Sequence, residues 1–483
     1  MMENVKSKSI TATFWSAVET VSRQLISFVI GIVLARLLSP SDYGLIGMLT
    51  IFISLSNVFI ECGFSNALIR KIDRTEEDCN TAFYFNIIVG VVAYFILVLV
   101  SPLVANFYDE PILKPLLWLV GINVFFNSLC IVQNALLTAN LNIKIQARIT
   151  VISQVSTGVI AIFLAYMGLG VWALAIQSVL SVVFRTVLLW YYSKWKPKWQ
   201  YSKQSMKYLW HFGSKMLATG LISNFFYEIN SIVIGKAYSK DDLGNYSRAN
   251  QIARLLPDFF QQIIQKVTIP TLAQYQDNTE KLTSVYRRYI NIICMLCIPC
   301  MFFLAVLSRP LVLILLTEKW ASCILLLQIL AIGLSVNPVG SINLSLLQVL
   351  NRTDLTLKLE IIKKVLLAII VFASAYCGLI YLIIGSAAYN FIATLMNMYV
   401  SRKLLNYTYW EQLKDIGKYM VVAIFISGIV YVLLMFIHNV YLQLLLGGCT
   451  CFILYILVLS LIRFDSYLYV VTTIKAMYNK HIG

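Results

Sequence analysis

The chain has 483 residues, 59% of them hydrophobic and 12% charged, against roughly 45–50% apolar and about 25% charged in soluble domains. A soluble globular protein is excluded. The 38 basic residues outnumber the 22 acidic ones, but the excess lies in short links between apolar runs, which fits membrane topology and anionic lipids and not a nucleic-acid surface.

Apolar runs of about 20 residues, without period-two alternation, predict membrane-spanning helices and not barrel strands. An N-terminal lobe, residues 1–193, is expected to hold six, near 12–38, 43–68, 80–107, 112–140, 149–167 and 170–193. Ser39-Pro40-Ser41-Asp42 separates the first two, Pro stopping one helix and Asp capping the next. Arg70-Lys71-Ile72-Asp73-Arg74 returns the chain to the cytoplasm, Tyr108-Asp109-Glu110-Pro111 marks an outward turn, and Lys144 with Arg148 an inward one.

A basic linker, 194–207, follows: Lys194-Trp195-Lys196-Pro197-Lys198-Trp199, then Lys203 and Lys207. It is expected on the cytoplasmic surface, Trp in the interface and Lys among anionic headgroups, placed to let the lobes move. The C-terminal lobe, 208–403, repeats the plan with spans near 208–236, 244–274, 286–307, 321–350, 357–376 and 380–400. Residues 404–483 add two more, near 418–437 and 443–462, and an interfacial tail from Arg463. The total is fourteen, with both termini cytoplasmic and the first span directing insertion.

The lobes carry a duplication. Residues 31–44, Gly-Ile-Val-Leu-Ala-Arg-Leu-Leu-Ser-Pro-Ser-Asp-Tyr-Gly, align without a gap on residues 231–244, Ser-Ile-Val-Ile-Gly-Lys-Ala-Tyr-Ser-Lys-Asp-Asp-Leu-Gly. Ser39 meets Ser239, Asp42 meets Asp242 and Gly44 meets Gly244. Pro102-Leu103-Val104 with Glu110 likewise matches Pro310-Leu311-Val312 with Glu318. Each copy follows an even number of crossings, so the repeat is parallel. Asp42 and Asp242 read as capping or hinge residues.

The ten cysteines lie mostly in apolar spans and read as packing residues, including the C-x-x-C-x-x-C run Cys294, Cys297 and Cys300. Three histidines, His211, His438 and His481, are too scattered for a metal site. No cofactor is expected, and the absence of a G-x-x-x-x-G-K-[ST] motif excludes direct drive by ATP through such a loop.

A charge at a helix centre costs about 2.5–3.5 kcal/mol on the insertion scale, so such charges face a partner or water. Those read inside spans, Arg185 apart, fall on the helices that flank the duplicated turns. The first has Ser16, Glu19, Arg23 and Ser27 on one stripe, and the second Thr50, Ser54, Asn57 and Glu61. The seventh has Lys215, Thr219, Ser223 and Tyr227, with Glu228 beside them. The eighth has Gln251, Arg254, Asp258, Gln261 and Gln265, with Arg248 and Lys266 nearer its ends. Glu19 with Arg23 and Arg254 with Asp258 are i, i+4 pairs that could simply hold helices together. Uncharged polar residues that extend the stripes favour a hydrated cavity. Bases exceed acids by one, and Arg248 and Lys266 have no acid at i±4, which suits a diphosphate better than a cation. Glu19, Glu61 and Asp258 are candidates for proton or sodium coupling.

Gln24, Leu34-Ala35-Arg36-Leu37-Leu38-Ser39-Pro40, Asp42, Gly44, Gly63 and Ala67-Leu68-Ile69-Arg70 resemble the first two helices of bacterial polysaccharide flippases of the Wzx type. These belong to the polysaccharide branch of the multidrug/oligosaccharidyl-lipid/polysaccharide superfamily. The similarity continues through Tyr246-Ser247-Arg248-Ala249, Leu256-Pro257, Pro270, Pro310 and Lys319-Trp320. The resemblance implies an all-α, V-shaped transporter of two pseudo-symmetric six-helix lobes plus two C-terminal helices, in the bacterial inner membrane. It further implies a central cavity lined by basic residues and a substrate that is an undecaprenyl-diphosphate-linked oligosaccharide. Arg23, Lys215, Arg248 and Arg254 occupy the corresponding helices, while the second helix departs from the pattern in offering Glu61 and no base. Partners so implied are the lipid-linked substrate, anionic lipids and polysaccharide assembly proteins.

Three alternatives stand beside this reading. A peptidoglycan-precursor flippase shares the diphosphate and prenyl tail. A multidrug cation antiporter predicts a net acidic cavity, and a membrane polymerase or ligase predicts a long outward segment with catalytic groups.

Overall fold

The computed structural model describes residues 2–61, 63–71, 73–193 and 195–472. Every regular element among them is a helix. In chain order these are α1 Met2–Leu37, α2 Pro40–Glu61, α3 Phe64–Arg70, α4 Glu76–Tyr108, α5 Leu113–Ser128, α6 Ile131–Ala139, α7 Ile143–Tyr166, α8 Val171–Tyr192, α9 Lys203–Tyr227 and α10 Ile229–Ala237. Then follow α11 Lys240–Ile263, a π turn Ile264–Thr268, α12 Ile269–Ala273, α13 Thr279–Val306, α14 Ser308–Leu315, a 3-10 turn Glu318–Trp320, α15 Ser322–Leu334 and α16 Asn337–Val349. The last are α17 Thr353–Ala375, α18 Leu379–Ser401, α19 Tyr409–Met435 and α20 Val440–Ile462, with residues 465–472 also helical.

Local chemistry sets several ends. At α4 the Asp78 amide donates to Thr75 Oγ1 at 3.3 Å and the Thr75 amide donates back to Asp78 Oδ2 at 2.8 Å. Thr408 and Glu411 form the same reciprocal box at α19. The π turn ahead of Pro270 has a cause in that residue: it lacks the amide that would bond to the carbonyl four positions back, at Lys266.

Ten helices among the described residues are long and apolar enough to cross a membrane, and two bent pairs bring this to twelve. The pairs are α5 with α6, bent by 44°, and α9 with α10, bent by 43°. The protein is therefore a multi-pass helical membrane protein. The two remaining expected spans are present as helices, α11 and α17, but are too polar to pass on composition. α17 also corrects the expected distribution of charge. It carries Lys358, Glu360, Lys363 and Lys364, and Lys363 is buried and paired with Glu360. Buried, paired charge is thus not confined to the four helices flanking the repeated turns.

By packing, the chain divides into two compact units, Met1–Gly244 and Asn245–Gly483. The sequence repeat and this division answer different questions: α9 begins the second copy of the repeat yet shares the core of the first unit. That core joins Phe64, Ala67 and Leu68 of α3, Cys79, Ala82 and Phe83 of α4, Val132 and Ala135 of α6, and Leu209 of α9.

The basic linker lies on the same unit and is fastened to it. The Lys198 amide donates to Asn80 Oδ1 at 2.9 Å, the Ser202 amide to Thr81 Oγ1 at 3.0 Å, and Lys198 Nζ lies 2.5 Å from Glu76 Oε2. Trp195 meets Phe83 edge-on and Trp199 stacks on Tyr84 with centroids 4.9 Å apart. Lys203 and Lys207 are already helical, in α9. Beneath the linker Lys71 Nζ donates to buried Asp78 at 2.7 Å. That hydrogen bond holds the lysine above its ordinary pKa. The lysine's share of the clamp is therefore fully present below the ordinary lysine range and is lost as pH rises through the raised value.

In the second unit Leu307 packs with Ile426, Val430 and Leu434 of α19 and Cys451 of α20. Tyr455 of α20 donates its hydroxyl to the Met295 carbonyl at 2.6 Å. Cys294 and Cys297 are buried in α13 and Cys300 is exposed.

Candidate functional site

The duplicated turns meet inside the first unit. Ser39 donates its amide to Asp42 Oδ2 at 2.9 Å and its hydroxyl to the same oxygen at 2.7 Å, and the Asp42 amide donates to Ser39 Oγ at 3.3 Å. Ser239 and Asp242 make the same three bonds at 3.2, 2.8 and 3.1 Å. Ser39 and Ser239 are therefore the N-caps, and Asp42 and Asp242 close two reciprocal capping boxes from the third helical position.

Each turn presents a glycine to the other. A Cβ at Gly44 would stand 1.9 Å from the Lys240 carbonyl oxygen, and one at Gly244 would stand 1.8 Å from the Pro40 carbonyl oxygen. Only hydrogen fits in either place, so the repeated glycines are explained by closeness of approach. Two ion pairs flank the contact, Lys236 to Asp109 at 3.0 Å and Lys240 to Glu110 at 2.8 Å.

The polar stripes of the first unit are partly satisfied within the protein. Glu19 accepts from Thr150 of α7 at 3.3 Å, and Asn57 accepts from Asn127 of α5 at 3.1 Å. Thr50 and Ser54 return their hydroxyls to carbonyls of their own helix. Glu61 is exposed at the end of α2, where the charge of Arg185 on α8 acts on it. Arg23 on α1 and Lys215 on α9 are exposed, and among the described residues neither is held in an ion pair.

The second unit treats its cations differently. Arg248 is buried, donates to Gln251 at 2.5 Å and lies over the ring of buried Trp320, 6.0 Å from its centroid. Arg254 is half-buried and donates to Asn250 at 3.0 Å, and its charge acts on Asp258 one turn on. Gln261 and Lys266 are exposed, the latter in the π turn. Of the basic residues expected at a ligand, the structure leaves Arg23, Lys215 and Lys266 exposed, keeps Arg254 half-buried, and packs Arg248 into the interior.

Two features escaped the sequence reading. One is the reciprocal approach of Gly44 and Gly244, of which the aligned glycines were the only trace. The other is an ionic cluster around Asp415 in the second unit, whose members come from segments far apart in the chain.

Residues 33–325 match the family described as polysaccharide biosynthesis protein. The chain belongs to that family. It is 24% identical over 407 residues to the lipopolysaccharide biosynthesis protein WzxC of Escherichia coli K12, covering 83% of this chain and 82% of WzxC. It is also 24% identical over 413 residues to the teichuronic acid biosynthesis protein TuaB of Bacillus subtilis 168, covering 84% of each. Among solved structures, the lipid II flippase MurJ in an inward closed conformation aligns with a TM-score of 0.79 at 15% identity, over 94% of this chain and all of that one. An inward-facing multidrug MATE transporter of the MOP superfamily aligns at 0.64 and 18%, over 79% of this chain and 94% of that one. The fold is thus that of the MOP transporters, as the resemblance implied.

Proposed function

We propose that this protein is a flippase that carries undecaprenyl-diphosphate-linked oligosaccharide from the cytoplasmic to the periplasmic leaflet of the bacterial inner membrane, for assembly of a surface polysaccharide. The observation that carries this reading is the pair of exposed cations Arg23 and Lys215, outside any ion pair among the described residues, on a fold shared with a flippase of a lipid-linked precursor. Their charge suits the diphosphate, and half-buried Arg254 and exposed Lys266 offer the same chemistry. Asn57, Gln251 and Gln261 serve the sugar through hydrogen bonds, while the prenyl tail stays in lipid. Arg248 acts on the wall of the site through Gln251 and Trp320.

The reciprocal turn contact is the closed outer side of an alternating-access cycle, and opening separates Gly44 from Lys240 and Gly244 from Pro40. Glu19, Glu61 and Asp258 are the groups through which protons or sodium would couple. Both termini lie in the cytoplasm, where the fastened linker meets anionic headgroups and polysaccharide assembly proteins have access.

Proteoliposomes loaded with a short-chain polyprenyl-diphosphate oligosaccharide test the reading, with and without proton and sodium gradients. We expect flipping, lowered at least tenfold by the double substitution Lys215→Ala, Arg254→Ala. Unchanged flipping in that variant removes the cationic site. Preference for a peptidoglycan precursor over every polysaccharide repeat unit would favour the MurJ-like alternative that the fold alone allows.

A further inference from the structure

Near the starts of α13 and α19 the second unit holds a polar cavity of about 720 Å³, closed on a third side by residues 465–472. At its base is Asp415, whose side chain is 7% exposed. This carboxylate accepts from Arg287 Nε at 2.6 Å, the Tyr407 hydroxyl at 2.7 Å, Asn291 at 3.2 Å and Lys418 Nζ at 3.2 Å. Three of the four donors converge on Oδ2 and Lys418 takes Oδ1, so Asp415 serves as an anchor for the cations around it.

What it anchors are two cations that line the cavity. Arg287 is further fixed over the Tyr407 ring, 5.1 Å from its centroid, and its Nη1 lies 3.9 Å from Glu411 Oε1, which leaves Nη2 outside both ion pairs. Lys418 keeps protons beyond the one given to the same carboxylate. Arg288, the third base, stacks 4.4 Å from the centroid of Tyr469. Long basic side chains ordinarily lose rotamer entropy on binding an anion, and these are already held. The same cavity is lined by exposed Glu280 and Asp465. With Asp415 committed, its remaining lining groups carry both signs.

Depth can be read from the neighbours. Trp410 at the start of α19 is 77% exposed, and Leu468 and Tyr469 are exposed in the segment that closes the cavity. Exposed Trp and Tyr at helix ends mark the level of lipid headgroups. A ligand at that depth with a phosphate for three fixed bases and a cation for two exposed acids is an aminophosphate headgroup.

We propose that this cavity binds the headgroup of an ethanolamine phospholipid, its phosphate against Arg287, Arg288 and Lys418 and its ammonium against Glu280 and Asp465, and that the lipid holds residues 465–472 in place. The proposal is independent of the transport reading, because none of these residues belongs to the stripes assigned to the substrate.

The test uses the full-length protein in detergent, titrated with phosphatidylethanolamine, phosphatidylglycerol, phosphatidylcholine or soluble glycerophosphoethanolamine. Bound lipid is read by native mass spectrometry, with the melting temperature alongside. We expect phosphatidylethanolamine to bind about tenfold more tightly than phosphatidylglycerol or phosphatidylcholine, and more tightly than the soluble headgroup. Arg288→Gln, at an exposed position that should leave the fold intact, is expected to weaken phosphatidylethanolamine and phosphatidylglycerol together by about tenfold. Glu280→Gln with Asp465→Asn is expected to erase the preference between them. Equal binding of the two lipids by the unaltered protein overturns the ammonium subsite, and equal binding of the soluble headgroup overturns the lipid assignment. Unchanged affinity in Arg288→Gln overturns the site.

Discussion

The two copies of the Ser-x-x-Asp-x-Gly turn make the same three hydrogen bonds, yet the helices they begin have diverged. α2 is apolar enough to count as a span, whereas α11 carries Arg248, Arg254 and Asp258 and does not. A turn is held by backbone needs, a cap for free amides and room for a facing carbonyl, and these tolerate little change. A helix face is held only by what it meets. After duplication one face could stay apolar while the other became polar, and the shared turn records the common origin.

The largest effect should come from the glycines. Valine at position 44 or 244 forces its Cβ into a carbonyl less than 2 Å away, and overpacking of this kind costs about 3 kcal/mol. If the contact is the closed outer side, either substitution should raise the labelling of Leu243→Cys, a position buried in this structure, by an impermeant maleimide about a hundredfold, in a cysteine-free background. Labelling at the parental rate would mean that the turns do not seal anything.

Divergence of the helices predicts an unequal pair. Arg254→Ala on α11 should lower flipping about tenfold, about 1.4 kcal/mol at the barrier, while Asn57→Ala on α2 should lower it about twofold because Asn57 is already bonded to Asn127. Equal losses would show that α2 serves the substrate as much as α11 does.

Likeness of the turns predicts an equal pair. Ser39→Ala and Ser239→Ala should each cost about 1 kcal/mol, the usual worth of a cap, read as matching falls in melting temperature. A silent Ser239→Ala would break the equivalence. Smallest of all, Asp109→Asn should change stability by about 0–1 kcal/mol and lose even that in high salt, since its pair with Lys236 is exposed. A larger loss, insensitive to salt, would make the ion pairs and not the glycines the main fastening.

Much of the fold was legible in the sequence because its signals are local. Hydropathy marked the spans, and Ser39 to Asp42 and Ser239 to Asp242 marked caps that the structure contains. The Thr408-x-x-Glu411 box was equally legible, and would have started α19 at Tyr409 instead of near residue 418. Buried Lys363 beside Glu360 is decided by neighbours.

The candidate site was legible only as a set of helix faces. Spacing put Arg23, Lys215 and Arg254 on polar stripes, but the same spacing put Arg248 beside them, and Trp320 draws that side chain into the core of the second unit. The linker's lysines and tryptophans announced an interfacial segment. Asn80, Thr81 and Glu76, more than a hundred residues earlier in the chain, fasten it.

By itself, then, the sequence determined the membrane class, the helical spans, the duplication and the capped turns, because each follows from residues near one another in the chain. Only the tertiary structure decided that two glycines face each other's carbonyls, that Asp415 anchors Arg287 and Lys418, and which cations stay exposed. Those depend on close approach between distant segments, which no stretch of neighbouring residues specifies.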